Sequence, residues 1–416
     1  GSMGHLPAPA IAPELQPVVN SDELVDINWP LEEIASDQFQ IAGGWGGGTF
    51  VGSVGVTLNN LSIKNFFKKG AWRPYPMGQN QRLSISAQTN GTYYKAFAIS
   101  FTDPWMGGRK PNSFTISAHY SDENNAYYAW QKGTRYFRTA GVAAGLGKRL
   151  DWPDPYFTFY AEASYERYML KDWNTFVLKN GAANLLSIRL VLGRNSVDQP
   201  IYPRRGSDFS VSVQLTPPYS LWDGKDYKST ALSEQERYNW IEFHKWMLKG
   251  QWFTPLTRNG NLVLMARAEM GYLGHYNKNK VSPFERFEVG GDGMTGYNMY
   301  GIDIISMRGY DDGALDPVGS NYSCAYNKYT MELRYPLLLK GQTNIYVLGF
   351  LEGGNGFTSW KEFSPFKIKR SAGIGVRLFL PVVGMVGVDW GWGFDPAAGQ
   401  TKRSGSHIHF TMGMQF

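Results

Sequence analysis

The chain has 416 residues, a formal net charge of +6, 48 glycines, one cysteine and an aromatic content of 15%. A soluble protein of this length would normally divide into two or more domains, whereas one large β-barrel would not. Mean hydropathy is only −0.34, and the longest apolar stretch, around Phe379 to Val388, is far shorter than the ~20 residues a membrane helix needs.

Residues 1–23 are rich in Pro and Ala and predict a disordered linker; Gly1-Ser2-Met3 reads as a cloning remnant, so a targeting segment is expected to have been removed. Residues 24–37 read as one isolated strand and its exit. From Gln38 a period-two pattern begins, with Phe39, Ile41 and Trp45 on one face and Gln38, Gln40, Ala42 and Gly44 on the other. The same alternation recurs at Leu83–Gln88, Phe114–His119, Phe157–Glu162, Phe209–Leu215, Thr330–Tyr335 and Val386–Asp395, and less cleanly at Leu262–Glu269. The last ten residues, His407 to Phe416, alternate without a fault and end on an aromatic. Between these segments lie tight turns, such as Trp152-Pro153-Asp154-Pro155 and Thr257-Arg258-Asn259-Gly260. Ser233 and Glu236 fit a capping box that starts a helical piece within Ser233–Leu248. The longest connection runs from about His275 to Tyr326, and a loop of that length is rarely idle.

Residues 38–416 therefore predict an all-β fold, a transmembrane antiparallel barrel of about sixteen strands with lipid outside and a polar lumen. The aromatic excess fits, because Trp and Tyr gather where membrane meets water. Basic residues are scattered and often sit near acidic ones, which argues against nucleic acid. A lone cysteine, Cys324, allows no internal disulfide.

The long loop carries Phe287-Glu288-Val289-Gly290-Gly291 and then Met307-Arg308-Gly309-Tyr310. With these motifs the chain resembles the family of outer-membrane assembly factors and transporters that carry POTRA domains. The family's loop motif is [V/I]-R-G-[F/Y], and Met307 departs from its first place. Ser371-Ala372-Gly373-Ile374-Gly375-Val376-Arg377, followed by Pro381, Gly384, Asp389 and Gly391, resembles the closing-strand motif of that family. Leu24-Val25-Asp26-Ile27-Asn28-Trp29 resembles the end of the last POTRA domain, so 24–37 is expected to be its remnant, with the rest missing.

The resemblance implies that the loop folds into the lumen and that Arg308 meets acidic residues of the inner wall. Alternation places Glu332 on the inner face of its strand, and Glu352 is expected to end the next one. A desolvated guanidinium needs such partners. The first strand is weakened by Gly43, Gly44, Gly46, Gly47 and Gly48. Its seam with the last strand corresponds, by resemblance, to a lateral gate formed by Phe39, Ile41, Gly43, Gly44 and Gly46 against Phe410, Met412, Gly413, Met414 and Phe416. A weakly paired edge can template an incoming strand by β-augmentation. The implied activity is folding and insertion of outer-membrane β-barrel proteins. The implied partners are membrane lipids, the C-terminal strands of client proteins, accessory lipoproteins and POTRA domains.

Rival readings are a polypeptide-secreting translocator, a passive porin and a barrel enzyme. No histidine stands in a hydrolase motif, so no catalytic residue is assigned. His407 and His409 share a face but lack a third ligand nearby, so no metal is expected. The glycines at 43–48 are not followed by GK[ST], so no nucleotide or other cofactor is expected either.

Overall fold

The structure, a computed structural model, describes residues 14–17, 25–28, 38–46, 49–72, 75–89, 93–108, 110–125, 133–293, 302–319, 322–340, 343–380 and 384–412. Side chains are described from residue 54 onward, apart from those of Lys340 and Met412. Pro381, Gly413, Met414 and Phe416, and the side chains of Phe39, Ile41 and Met412, lie outside that description, as do Gly47 and Gly48.

The strands are β1 (Glu14–Pro17), β2 (Val25–Asn28), β3 (Gln38–Gly46), β4 (Thr49–Leu61), β5 (Gln81–Thr89), β6 (Tyr94–Asp103) and β7 (Asn112–Asn124). They continue as β8 (Tyr136–Arg149), β9 (Phe157–Lys171), β10 (Gly181–Asn195), β11 (Gly206–Leu215), β12 (His244–Pro255) and β13 (Val263–Gly274). Two short strands in the long loop, β14 (Phe287–Val289) and β15 (Asp303–Ile305), pair in parallel. The last five are β16 (Ala325–Lys340), β17 (Thr343–Phe357), β18 (Lys369–Leu380), β19 (Gly384–Pro396) and β20 (Arg403–Met412).

β3 to β13 and β16 to β20 form one sixteen-stranded antiparallel sheet in which each strand pairs with its neighbour in sequence, the long loop being skipped. The fold is an all-β barrel. In hydrocarbon each unsatisfied backbone group costs several kcal/mol, and strand-to-strand pairing is what satisfies them. The two ends of the sheet, β3 and β20, approach with Cα atoms within 8 Å. Among the described residues no ladder joins them.

Alternation fixes which face meets lipid. Ile85, Ile116, Leu146, Ile188, Trp390 and Ile408 are exposed on the outside, while Glu123, Thr139, Glu352 and Asp389 are buried inside. Inner polar groups pair across strands; the Ser121 and Thr139 hydroxyls lie 2.7 Å apart. At Pro336, which has no N–H for the ladder, the β16–β17 register shifts by a bulge. The Thr257–Gly260 turn closes with the Gly260 amide donating to Thr257 O at 2.9 Å. Gly260 sits there at φ +67°, a conformation that suits glycine.

Two sequence expectations change. Glu14–Pro17, within the expected linker, is a strand paired with β2 through Leu15↔Ile27 and Gln16↔Asp26, so β2 is not isolated. The helical piece expected to start after Ser233 is helix α1 (Glu234–Tyr238), closed by the capping box of Ser233 and Glu236. From His244 the side chains alternate, with Lys245 buried and Trp246 and Leu248 exposed, and the segment continues as β12. Glu352 lies inside β17 rather than at its end. Gly354 and Gly356 let the strand run on beside other backbone: a Cβ on Gly354 would lie 2.7 Å from Asn327 O, and one on Gly356 2.8 Å from Leu315 O.

Candidate functional site

The described parts of the long loop, residues 275–293, 302–319 and 322–324, fold into the lumen and span it. Near one wall, Phe284 stacks on Tyr168 of β9 with ring centroids 4.4 Å apart. Glu285 accepts a hydrogen bond from the Tyr168 hydroxyl at 2.9 Å. Lys245 of β12 holds Glu285 at 3.4 Å and Asp303 at 2.7 Å. Burial lifts the Glu285 carboxyl to about 7, with Lys245 opposing. A polar cavity of about 280 Å³ remains beside this contact, lined by His119, Glu166, Arg189, Lys245, Glu285 and Asp303 among others.

The far end of the loop is its tip, Met307–Tyr310, anchored to β16–β20. Arg308 is only 8% exposed. Its backbone N–H donates to Glu352 Oε2 at 2.9 Å, and its Nε and Nη2 donate to Glu352 Oε1 at 3.1 and 2.7 Å. Nη2 also donates to Glu332 Oε1 at 2.7 Å. Nη1 lies 3.7 Å from Asp389 Oδ1. The guanidinium rests over the Phe350 ring, 3.7 Å from its centroid, a favourable cation–π arrangement. Burial alone would lower the Arg308 pKa, but Glu352, Glu332 and Asp389 raise it, so the side chain is a permanent cation.

Register explains why these groups converge. Glu332 faces Phe350 across β16–β17, and Thr330 faces Glu352. Phe350 faces Gly373, Gly375 faces Asp389, and Asp389 faces His409. Each carboxylate has a second cation. Arg334 donates to Glu332 Oε2 at 2.8 and 2.7 Å, Arg377 grips Asp389 with bonds of 2.8 and 2.7 Å, and Lys328 lies 3.8 Å from Glu352. The ordinary strand alternation places Arg334 on the face of Glu332, although reading the sequence gave it no role.

The Gly309 backbone lies directly on the wall. Gly309 has φ +87°, and a Cβ there would stand 2.9 Å from the Ser371 Cβ and 3.0 Å from Gly393 N. From the other side, a Cβ on Gly391 would be 2.8 Å from Gly309 N, and one on Gly393 would press on Gly309 O. The contact is backbone against backbone and tolerates no side chain on either surface. The Gly309 amide donates to His409 Nε2 of β20 at 2.9 Å. Next to it, His407 Nδ1 lies 3.2 Å from Asp311 Oδ1. Tyr310 is buried and donates to Arg370 O at 2.9 Å, and Met307 is fully buried.

Of the other motif residues, Gly375 and Arg377 lie on β18, Gly391 and Asp389 on β19, and Gly384 starts β19 at φ +85°. Phe410 is exposed on the outer face of β20. Gly43, Gly44 and Gly46 pair along β3 with β4 through Gly43↔Gly52, Gly44↔Val51 and Gly46↔Thr49. Reading the sequence missed His409 as a partner of the loop, since no local pattern links positions 100 residues apart.

The opposite end of the lumen is also occupied. Tyr202, on the connection from β10 to β11, is buried, and its single O–H is shared between Asn261 O at 2.8 Å and Arg334 O at 3.0 Å.

Comparison with known proteins agrees with this architecture. The outer membrane protein assembly factor BamA of Neisseria meningitidis serogroup B (strain ATCC BAA-335 / MC58) is 23% identical over 340 residues, covering 77% of this chain and 35% of that protein. The chain thus spans about a third of that relative. Among solved structures, BamA from Haemophilus ducreyi lacking POTRA domains 1–3 superposes with a TM-score of 0.62 at 17% identity, covering 97% of this chain and 74% of that one. CdiB from Escherichia coli superposes at 0.57 and 12% identity, covering 96% and 66%. Residues 77–416 match the Omp85 superfamily domain, and the chain therefore belongs to the Omp85 superfamily of bacterial outer-membrane β-barrel proteins.

Proposed function

We propose that this chain is the barrel domain of a BamA-type insertase, which folds β-barrel proteins and inserts them into the bacterial outer membrane. The observation that carries the reading is a pairing of two features. The lumen is crossed by a loop anchored through Arg308, while the sheet ends β3 and β20 lie close without a ladder between their described residues. A filled lumen suits a machine that works at its seam rather than through its pore.

On this reading β3 and β20 are a lateral gate, and the glycines of β3 lower its pairing strength. A client's C-terminal strand adds to the freed edge by β-augmentation. The work is exchange of strand pairings, with no catalytic residue, nucleotide or metal. POTRA domains and accessory lipoproteins of a BAM-type complex are the proposed protein partners, and residues 24–37 are read as the end of a POTRA domain. A second reading, a polypeptide-secreting translocator, draws support from the fold shared with CdiB.

The test is a reversible lock. Cysteines at Ala42 and at a facing position near Met412 are oxidised to a disulfide in the assembled protein. Assembly of client barrels should stop under oxidation and resume on reduction. Client assembly that continues with the seam locked would exclude the gate. If instead a polypeptide still crosses the lumen of the locked barrel, the translocator takes its place.

A further inference from the structure

The connection from β4 to β5, residues 62–80, lies at the same end of the barrel as the turns 150–156 and 256–262, because the strands between them alternate in direction. Short turns mark the periplasmic end of such barrels. This connection is not a short turn. It starts with the 3-10 turn Ile63–Asn65 and is held by a framework of hydrogen bonds. The Ser62 amide donates to Pro76 O at 2.8 Å, the Ile63 amide to Gln81 Oε1 at 2.8 Å, and the Asn65 side chain to Met77 O at 3.1 Å.

That framework displays aromatics outward. Phe67 is 92% exposed and Trp72 54%, with Ile63 and Phe66 also open. The three rings pack on one another: Phe66 lies 5.3 Å from Phe67 and 5.0 Å from Trp72, both edge-on, and Trp72 Nε1 donates to Phe66 O at 3.0 Å. Lys64, Lys68 and Lys69 are exposed among them, and residues 62–80 contain no acidic residue. The next connection at this end carries exposed Trp105 and Met106 beside Lys110, and the following one exposed Trp152 after Lys148 and Arg149. The outer faces of the strands that lead here, with Val54, Ile85, Phe97 and Ile99 exposed, are the lipid belt itself.

We propose that residues 62–72 and 75–80 are a membrane-interface lobe. Phe67 and Trp72 enter the headgroup–acyl boundary of the periplasmic leaflet, and Lys64, Lys68 and Lys69 bind the phosphates of anionic phospholipid. An ordered apolar knob in water is unfavourable, whereas aromatics flanked by lysines suit that boundary. The charge selects the lipid, since a basic residue near an anionic surface strengthens binding by about fivefold. The lobe follows β4, the neighbour of β3, so it fixes lipid contact one strand from the end of the sheet. The inference needs only the barrel and stands whether or not the insertase reading holds.

The test uses the whole chain, with Cys324→Ser, reconstituted in bilayers of phosphatidylcholine alone or with phosphatidylglycerol. An environment-sensitive fluorophore is placed by Phe67→Cys or, as a control at the opposite end, by Lys402→Cys. Both sites are exposed, so neither removes core packing, and heat-modifiable gel mobility reports folding. Position 67 should be quenched by headgroup-region lipid quenchers and shielded from iodide, with more shielding when phosphatidylglycerol is present; position 402 should be open to iodide. Changing Lys64, Lys68 and Lys69 together to Ser should remove the phosphatidylglycerol-dependent part, about fivefold per lysine. Equal iodide access at 67 and 402 in both bilayers overturns the proposal and leaves the face to a soluble protein. Shielding that ignores both phosphatidylglycerol and the lysines overturns the anionic-lipid assignment.

Discussion

Gly309 and His409 are joined by a 2.9 Å hydrogen bond in which the loop amide donates to the imidazole Nε2 of the last strand. The tip of the lumen loop is thereby tied to one of the two strands that end the sheet. Nε2 must be unprotonated to accept, which fixes the neutral ring with its proton on Nδ1.

His409→Ala should leave the Gly309 amide buried without a partner. A lost partner of this kind costs about 1–3 kcal/mol. Hydrogen exchange at Gly309, measured by mass spectrometry of the refolded barrel, should rise by one to two orders of magnitude, on the order of that cost. His409→Gln keeps an acceptor and should recover part of the protection. Unchanged exchange in His409→Ala would show that the bond does not hold the tip.

Removing Arg308 takes away the cation that Glu332 and Glu352 share and leaves them only Arg334 and Lys328. Breaking one side of a buried ion pair costs about 3–5 kcal/mol, so Arg308→Ala should unfold at clearly lower temperature in heat-modifiability assays. It should also pass more current in planar bilayers, because the loop loses its anchor. Arg308→Lys should behave nearly as badly, since an ammonium cannot bridge Glu332 and Glu352 while lying flat on Phe350. A lysine variant with native conductance and thermal mobility contradicts the geometry.

Gly391→Ala is a small change with a specific expected cost. Its Cβ would press on Gly309 N from 2.8 Å, with backbone on both sides. Overpacking of this sort typically costs about 1–3 kcal/mol. A cysteine pair bridging the loop tip and β19 should crosslink more slowly in the alanine variant. Gly405→Ala, on β20 with open space around its Cβ position, does not press on the loop, although its own φ of +82° makes it a separately strained site.

Asp316 gives the loop a pH dependence. It is 6% exposed, and burial raises its carboxyl to about 8, with the Ser323 hydrogen bond pulling down and Glu288 pushing up. The folded loop therefore holds the proton more tightly than the unfolded chain, where Asp titrates near ~3.9. The stabilisation is complete below that lower value and is lost as pH rises through about 8. Protease resistance of the loop should fall across that window in the native protein. Asp316→Asn keeps an acceptor for the Ser323 hydroxyl and the Val289 amide and should flatten the profile. A mutant profile that still falls in parallel assigns the dependence to another group.

The barrel was legible because period-two alternation survives in nearly every strand, and Val388 to Asp395 shows why: exposed Val388, Trp390, Trp392 and Phe394 alternate with buried Asp389. The same rule set Glu332 on the inner face. It could not set distances across the lumen. The link from Gly309 to His409 depends on where a long loop lands, and alternation is silent on that. The end of β17 fell beyond Glu352 because Gly353 and Gly354 continue the strand, and a glycine that breaks a strand and one that admits another backbone look alike in sequence. Glu14–Pro17 was missed because a four-residue edge strand carries almost no periodic signal.

Taken as mechanics, the lumen loop is a chord across a ring. Phe284 and Glu285 bear on β9 and β12, and Arg308 and Gly309 bear on β16, β17, β19 and β20. A thin-walled cylinder is softest to flattening into an ellipse, and a strut between opposite staves stiffens it against that mode. Among the described residues none of these bearings falls on β3 to β6, so compliance concentrates in that unbraced arc, where β3 borders the end of the sheet.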